Sequence, residues 1–219
     1  NYSSIVLDYM NGKDILLVAN FFKQSPLVLV TQPNITSLSQ LRASKIEGLA
    51  NSIDHVTLYT MLSKFDIYEK DIEHVSPSFS IEKFIAKEVD AITVFTTNEI
   101  YLLEQAGVKY NVFNPISYGA NYYDLNLFTS KKEFLTNPQR VKKFKDASVK
   151  GWEYALENKE EIVELILKKY NSQSKSKEAL LFEAQQVEQI MLPQVHEIGS
   201  VDKERIKNIA QMFEQSGFS

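Results

Sequence analysis

The chain has 219 residues, 44% hydrophobic and 24% charged, enough for one large domain or two small lobes with a real core. Its formal net charge of −4 argues against a nucleic-acid binder, which would carry a basic stripe. It has no cysteine, so zinc–thiolate sites, iron–sulfur clusters, cysteine nucleophiles and disulfides are excluded. A cysteine-free chain suits any compartment, including an oxidising one. No stretch is as long as a membrane span, and the apolar run Ile15–Ala19 is too short for a signal-peptide core.

Taken in order, Asn1 to Met10 reads as a helix end, with Ile5, Val6 and Tyr9 or Met10 at helical spacing, and Asn11-Gly12 as a stop. Ile15–Ala19 is an expected buried strand, and Asn20 to Pro26 an irregular polar-aromatic segment. Leu27–Thr31 is a second strand, Ser37–Arg42 a short helical turn, and Ser44–Gly48 a third strand. A helix follows over about Ile53 to Phe65, with Asn51 as N-cap and Asp54 three residues on. Its apolar side is Ile53, Val56, Met61, Leu62 and Phe65, with Leu58 off it. A strand–small-residue loop–helix unit is a common anion site. Here Asp54 already answers the helix dipole, which favours a neutral or zwitterionic polar ligand over phosphate, or simply an ordinary cap.

Ile72–Val75 is the next strand, and Ile81–Lys87 a short helix with Phe84 and Ile85 inward. It feeds Val89 to Glu99, VDAITVFTTNE, a buried β-branched run that ends in four hydrogen-bonding side chains. In open α/β sheets ligands bind beyond the carboxyl ends of such strands, so Thr97, Asn98 and Glu99 are site candidates. The competing reading is a polar turn capping the helix Ile100–Gln105. Tyr110–Phe113 is a further strand. The loop Ile116 to Asp124 is rich in tyrosine and amide, and either clamps a small polar ligand or packs between layers. After the strand Leu125–Thr129 the chain is helical. Asn137-Pro138 starts one helix, with Val141, Phe144, Ser148, Trp152 and Ala155 on one face. Asn158 to Glu161 is a capping box for the next, Lys175 to Met191 a third, and Asp202 caps the last, closed by Gly217. Alternation in the first two thirds predicts a mostly parallel sheet with helices on both faces.

His55, His74 and His196 have no metal-ligand spacing around them, and no G-x-S-x-G, Walker or G-x-G-x-x-G motif occurs. The histidines read as surface or loop residues. No catalytic residue, metal or cofactor is expected.

The segments ANFFKQSPLVLV, VDAITVFTTNE, NPISYGANYYDLNLFTS, NPQRVKKFKDASVKGWEYALEN and EEIVELILKKYN resemble the NMT1/THI5-like (SsuA-like) solute-binding proteins. The tail LLFEAQQVEQIMLPQVHEIGSVDKERIKNIAQMFEQSG is similar to members that form extracytoplasmic sensor regions of bacterial histidine kinases and diguanylate cyclases. The resemblance implies a type II periplasmic-binding-protein fold, in which two α/β lobes close around a small molecule. It assigns lobe 2 to 28–121, and lobe 1 to 1–27 with 122–219, lacking the opening strand and helix that such proteins carry. It places Gln24 and Ser25 in the hinge motif, and Asn51, Ser52 and Asp54 at the head of the lobe 2 helix. Thr97, Asn98 and Glu99 follow the central strand, Tyr118 and Asn121 lie on the return crossing, and all ten of these residues are expected to line the ligand cleft.

The implied function is an extracytoplasmic sensor domain, periplasmic or membrane-anchored, that signals to a linked kinase or cyclase. The alternative is an ABC-transporter binding protein, partnered by a permease, for a thiamine-pyrimidine precursor, a sulfonate or a similar compound. A thiamine-pyrimidine synthase-like enzyme fits less well, because the fungal relatives that do this chemistry carry a cysteine-rich iron motif.

Overall fold

The computed structural model describes residues 4–50, 55–78 and 80–215. Two sheets organise it. The larger contains β2 (Leu27–Thr31), β3 (Lys45–Glu47), β4 (Glu73–Val75), β5 (Ala91–Phe95) and β6 (Asn111–Phe113), in the order β4-β3-β5-β2-β6. The smaller is an antiparallel ribbon of β1 (Ile15–Phe22) and β7 (Asp124–Ser130), with a register shift between Leu17 and Ala19.

The larger sheet is mixed, not uniformly parallel. β3 runs parallel to β4 and β5, whereas β2 runs antiparallel to β5 and β6. β2 enters from β1, in the other sheet, through residues 23–26, and starts at the edge where β5 and β6 end.

Every residue of β2 is buried, because both faces are covered. Leu27 and Leu29 join Ile46 and Ala91 in one core with Leu58, Met61 and Leu62 of α2 (Val56–Ser63). Val28 and Val30 join Ile92 and Val94 in another, with Phe84 of α3 (Glu82–Ile85) and Leu103 of α4 (Glu99–Gln105). The two-residue repeat of a strand sends alternate side chains into separate cores.

Four expectations are corrected. Leu58 is not off the apolar side of α2: all residues from Val56 to Leu62 are buried. The helix lies between the sheet and α9 (Lys203–Gln215), whose Ile209 and Phe213 pack with Val56 and Tyr122, so no single stripe exists. Ile85 is 43% exposed, because the short α3 turns only Phe84 inward. The segment after Ala19 is not irregular: β1 continues to Phe22. Asn20 is held inside it by donating Nδ2 to Asp124 O (2.8 Å) and Asn126 Oδ1 (2.9 Å). The Asn158 capping box does not form, since Asn158 Nδ2 turns back to Tyr154 O and Glu161 accepts from Tyr154 Oη.

The ribbon packs on the long helices. Phe21 and Phe22 meet Trp152 of α6 (Pro138–Glu157) at 5.9 and 6.0 Å between ring centroids, and Met191 of α8 (Lys177–Met191) joins that core. Helices α1 (Ser4–Met10), α5 (Lys131–Thr136) and α7 (Lys159–Lys169) complete the described chain. Asp202 caps α9, accepting from the Glu204 and Arg205 amides; Gly217 lies outside the described residues.

Candidate functional site

The order β4-β3-β5 creates a crevice. The chain leaves β3 for α2 on one face of the sheet and leaves β5 for α4 on the other. Adjacent strands whose connections diverge leave a gap at their carboxyl ends, which is where α/β sheets bind ligands. A cavity of about 290 Å³ lies there. Leu27, Glu47, Gly48, Ala50, His55, Pro77, Ser78, Ser80, Thr93, Phe95 and Glu99 line it, with Ile92 and Val94 below.

β3 ends in Glu47-Gly48. Gly48 has φ +78°, and a Cβ there would lie 2.4 Å from Thr93 Oγ1. Only glycine satisfies both the left-handed backbone and the close approach. Glu47 is buried, at 3% exposure. Its Oε1 accepts from the Ser78 amide at 2.8 Å and faces Lys83 Nζ at 3.6 Å. Its Oε2 is buried and has no hydrogen-bond partner.

Glu99 forms another part of the wall. Oε2 accepts from the Phe95 amide and Oε1 from Asn98 Nδ2, both at 2.8 Å. The polar run after β5 does not cap α4 through its side chains: Asn98 makes no cap hydrogen bond, and Glu99 ties the turn back to β5. Thr97 is buried beside it, and neither Thr97 nor Asn98 lines the cavity. Asn51, Ser52 and Asp54 lie outside the described residues, between Ala50 and His55, which both line the cavity.

The remaining candidates sit where the ribbon meets the sheet. Ser25 Oγ donates to Asp124 Oδ2 at 2.8 Å and accepts from the Leu27 amide. The Gln24 amide donates to Ile190 O. Asn121 Oδ1 accepts from Arg205 Nη2 at 2.7 Å. Arg205 also donates to Lys23 O and lies over the Tyr123 ring, 4.2 Å from its centroid. Tyr118 packs edge-on against Phe65 (5.8 Å) at the margin of the sheet core.

Lys23 is 1% exposed and donates Nζ to Ser200 O at 2.6 Å and to Asn20 O at 3.2 Å. Burial, and then the nearby Arg205 charge, lower its pKa to about 8. Burial likewise raises the pKa of the Asp124 carboxyl, against the Ser25 hydrogen bond. Ser25 and Asp124 tie the start of β2 to β7, while Lys23 and Arg205 are held by backbone oxygens and by Asn121, and the two clusters together make a joint between ribbon and sheet.

Sequence reasoning singled out Glu99, which lines the cavity, and missed Glu47, Gly48, Lys23, Arg205 and Asp124. The available signal for Glu47 was a carboxylate inside the strand pattern SKIEG. A larger groove of about 710 Å³ runs between α6, α7 and α8. Its lining mixes aliphatic and aromatic side chains with Ser148, Asn171, Ser172 and Gln173, and its Lys159 and Lys175 are paired with Glu188 (3.0 Å) and Glu183 (2.7 Å).

With this geometry in hand, the family model described as NMT1/THI5 like matches residues 1–162. The chain belongs to the NMT1/THI5-like family. A Haemophilus influenzae protein named for thiamine biosynthesis is 27% identical over 116 residues, which is 51% of this chain and 36% of that protein's length. The match therefore spans about a third of that curated relative. Among solved structures, the periplasmic aliphatic sulphonate-binding protein SsuA from Escherichia coli superposes with a TM-score of 0.70 at 13% identity, covering 99% of this chain and 70% of SsuA. The desulfurization enzyme DSZB superposes with a TM-score of 0.58 at 11% identity, covering 99% of this chain and 77% of DSZB. The NMT1/THI5-like chain thus has the type II periplasmic-binding-protein fold. Likeness at this identity fixes the fold alone, since one fold hosts unrelated functions.

Proposed function

We propose that this NMT1/THI5-like chain binds a small solute at the carboxyl ends of β3 and β5, without turning it over. The observation that carries this reading is the cavity at the crevice where the strand order reverses, with two carboxylates in its wall. In this reading 28–121 is one lobe and 1–27 with 122–219 belong to the other. The Lys23–Arg205 and Ser25–Asp124 contacts form the joint about which they close.

Extracytoplasmic placement is supported by the name of the E. coli neighbour, and delivery to an ABC permease by the name of a Methylobacillus flagellatus neighbour, a sulfonate ABC transporter protein. No described helix is long and apolar enough to cross a membrane. Signalling to a linked kinase or cyclase would use the same closure. A kinase or cyclase domain encoded after Ser219 would decide for signalling, and a stop codon for transport. The solute class is a thiamine-pyrimidine precursor if the Haemophilus relative is the guide, and a sulfonate if SsuA is.

The test is a thermal-shift and calorimetric screen of the full-length protein against thiamine pyrimidines, sulfonates, amino acids and purines. A ligand at a hundred times its Kd adds about 2.7 kcal/mol of stability. A saturable hit recovered chemically unchanged supports the reading. Conversion of the bound compound, or silence across the panel, overturns it.

A further inference from the structure

Glu47 is left half-used by the fold. Buried carboxylates ordinarily find a partner for each oxygen. Here Oε1 has the Ser78 amide and Lys83, while Oε2 has none. An acceptor buried without a donor destabilises the protein that holds it. Glu47 lines the cavity while its Oε2 is itself covered, so a donor that reaches Oε2 as a solute enters would relieve that cost. Lys83 is not that donor. It belongs to Oε1 at 3.6 Å, with a side chain 38% exposed, and it does not line the cavity. Glu99 adds a second negative charge to the same wall. Among the described lining residues there is no lysine or arginine. Such a wall repels an anion and attracts a positive charge.

We propose that Glu47 Oε2 accepts a hydrogen bond from an amino group or protonated nitrogen of the solute, so that the site selects N–H donors and rejects bare anions such as sulfonates. The inference rests on the solute-binding reading above and narrows it to one class. Backbone geometry serves the same end. Gly48 lines the cavity beside Glu47 and brings β3 against Thr93 without a side chain. The apolar part of the lining, Leu27, Pro77 and Phe95, suits the flat body of a small heterocycle or aryl group carrying that nitrogen.

The experiment is calorimetry on the full-length protein with two sets of probes. The N–H set is 4-amino-5-hydroxymethyl-2-methylpyrimidine, benzamidine and ethanolamine. The anionic set is ethanesulfonate and glutarate. At least one N–H probe is expected to bind and neither anion. In Glu47→Gln, which puts an amide N–H in place of one carboxylate oxygen, affinity for that probe falls about ten- to hundredfold, the worth of one charge-assisted hydrogen bond. The melting temperature of the unliganded variant does not fall, because a buried charge with an unpaired oxygen has been removed. Lys83→Gln takes the cation from Oε1 and keeps N–H binding.

Anion binding by the wild type, or unchanged affinity in Glu47→Gln, overturns the inference. So does an equal loss of binding in Glu47→Gln and Lys83→Gln, which would make Glu47 a scaffold for the Ser78 turn. Silence from the N–H set overturns it as well. A hit elsewhere in the broader solute screen would then leave the binding reading standing, whereas silence in both would remove the two together.

Discussion

Gly48 carries two constraints that can be separated. Its φ of +78° strains any L-residue, and a Cβ would stand 2.4 Å from Thr93 Oγ1 and 3.7 Å from Thr93 Cβ. Gly48→Ala should therefore cost about 2 kcal/mol or more in urea unfolding. Adding Thr93→Ala removes the hydroxyl contact and should recover part of that loss, but not the backbone strain. Additive losses in this double-mutant cycle would mean that the contact is not the cause. Asn98 and Glu99 make a second residue-level case. Glu99 holds the Phe95 amide at the end of β5, so replacing both with alanine should cost about 1–2 kcal/mol of stability while the protein still folds. Binding should be lost in the same variant, and calorimetry at full saturation of the wild type checks it. Full affinity in the double variant would exclude Glu99 from the site. Neither Gly48 nor Glu47 was readable as a site residue from the sequence. A glycine's φ and a carboxylate's missing partner depend on strands brought together from residues 45–47, 73–75 and 91–95.

At the scale of elements, periodicity worked where one face of an element is wet and failed where it is not. β2 and β5 were legible because a continuous β-branched run suits a strand covered twice. α2 was misread in one detail, since a helix buried on every side has no stripe for Leu58 to fall off. β1 was cut short at Ala19 because Asn20 breaks the apolar pattern, and its side chain is satisfied by β7, about a hundred residues away. The direction of β2 is a matter of its pairing with β5 and β6, far along the chain, which hydrophobic pattern does not report. These packing differences predict contrasting costs. Leu62 is fully buried between α2 and the sheet, so Leu62→Ala should destabilise by about 2–5 kcal/mol. Phe144 lies on the face of α6 predicted to be inward, yet is 61% exposed, and Phe144→Ala should change stability by about 0.5 kcal/mol or less. Chemical denaturation of the two variants compares them directly, and a large loss at Phe144 would mean that its face of α6 is covered in solution.

For the whole molecule, family likeness made the fold legible where composition and pattern gave only an α/β class, because the hinge and the central strand carry its motif. What it did not convey is how the joint is built. The QSP segment resembled a ligand-contacting hinge, whereas Ser25 is engaged by Asp124, and the neighbouring Lys23 is enclosed by Ser200, Arg205 and Tyr123. Enclosing Lys23 has a pH signature. Its folded pKa, about 8, lies below the ordinary value of 10.5. Between those values the unfolded chain holds a proton that the native state has released, so stability rises with pH. From pH 8 to pH 9.5 the gain from this group should be about 1.5 kcal/mol. Lys23→Met removes the titrating group and should flatten that part of the profile, whatever it does to stability at neutral pH. Urea unfolding of both proteins at pH 7, 8, 9 and 9.5 gives the difference in slope. Parallel profiles would mean that Lys23 stays protonated through this range. Its ammonium would then be held by the Ser200 and Asn20 carbonyls strongly enough to offset burial and Arg205, and the joint would be insensitive to pH below 10.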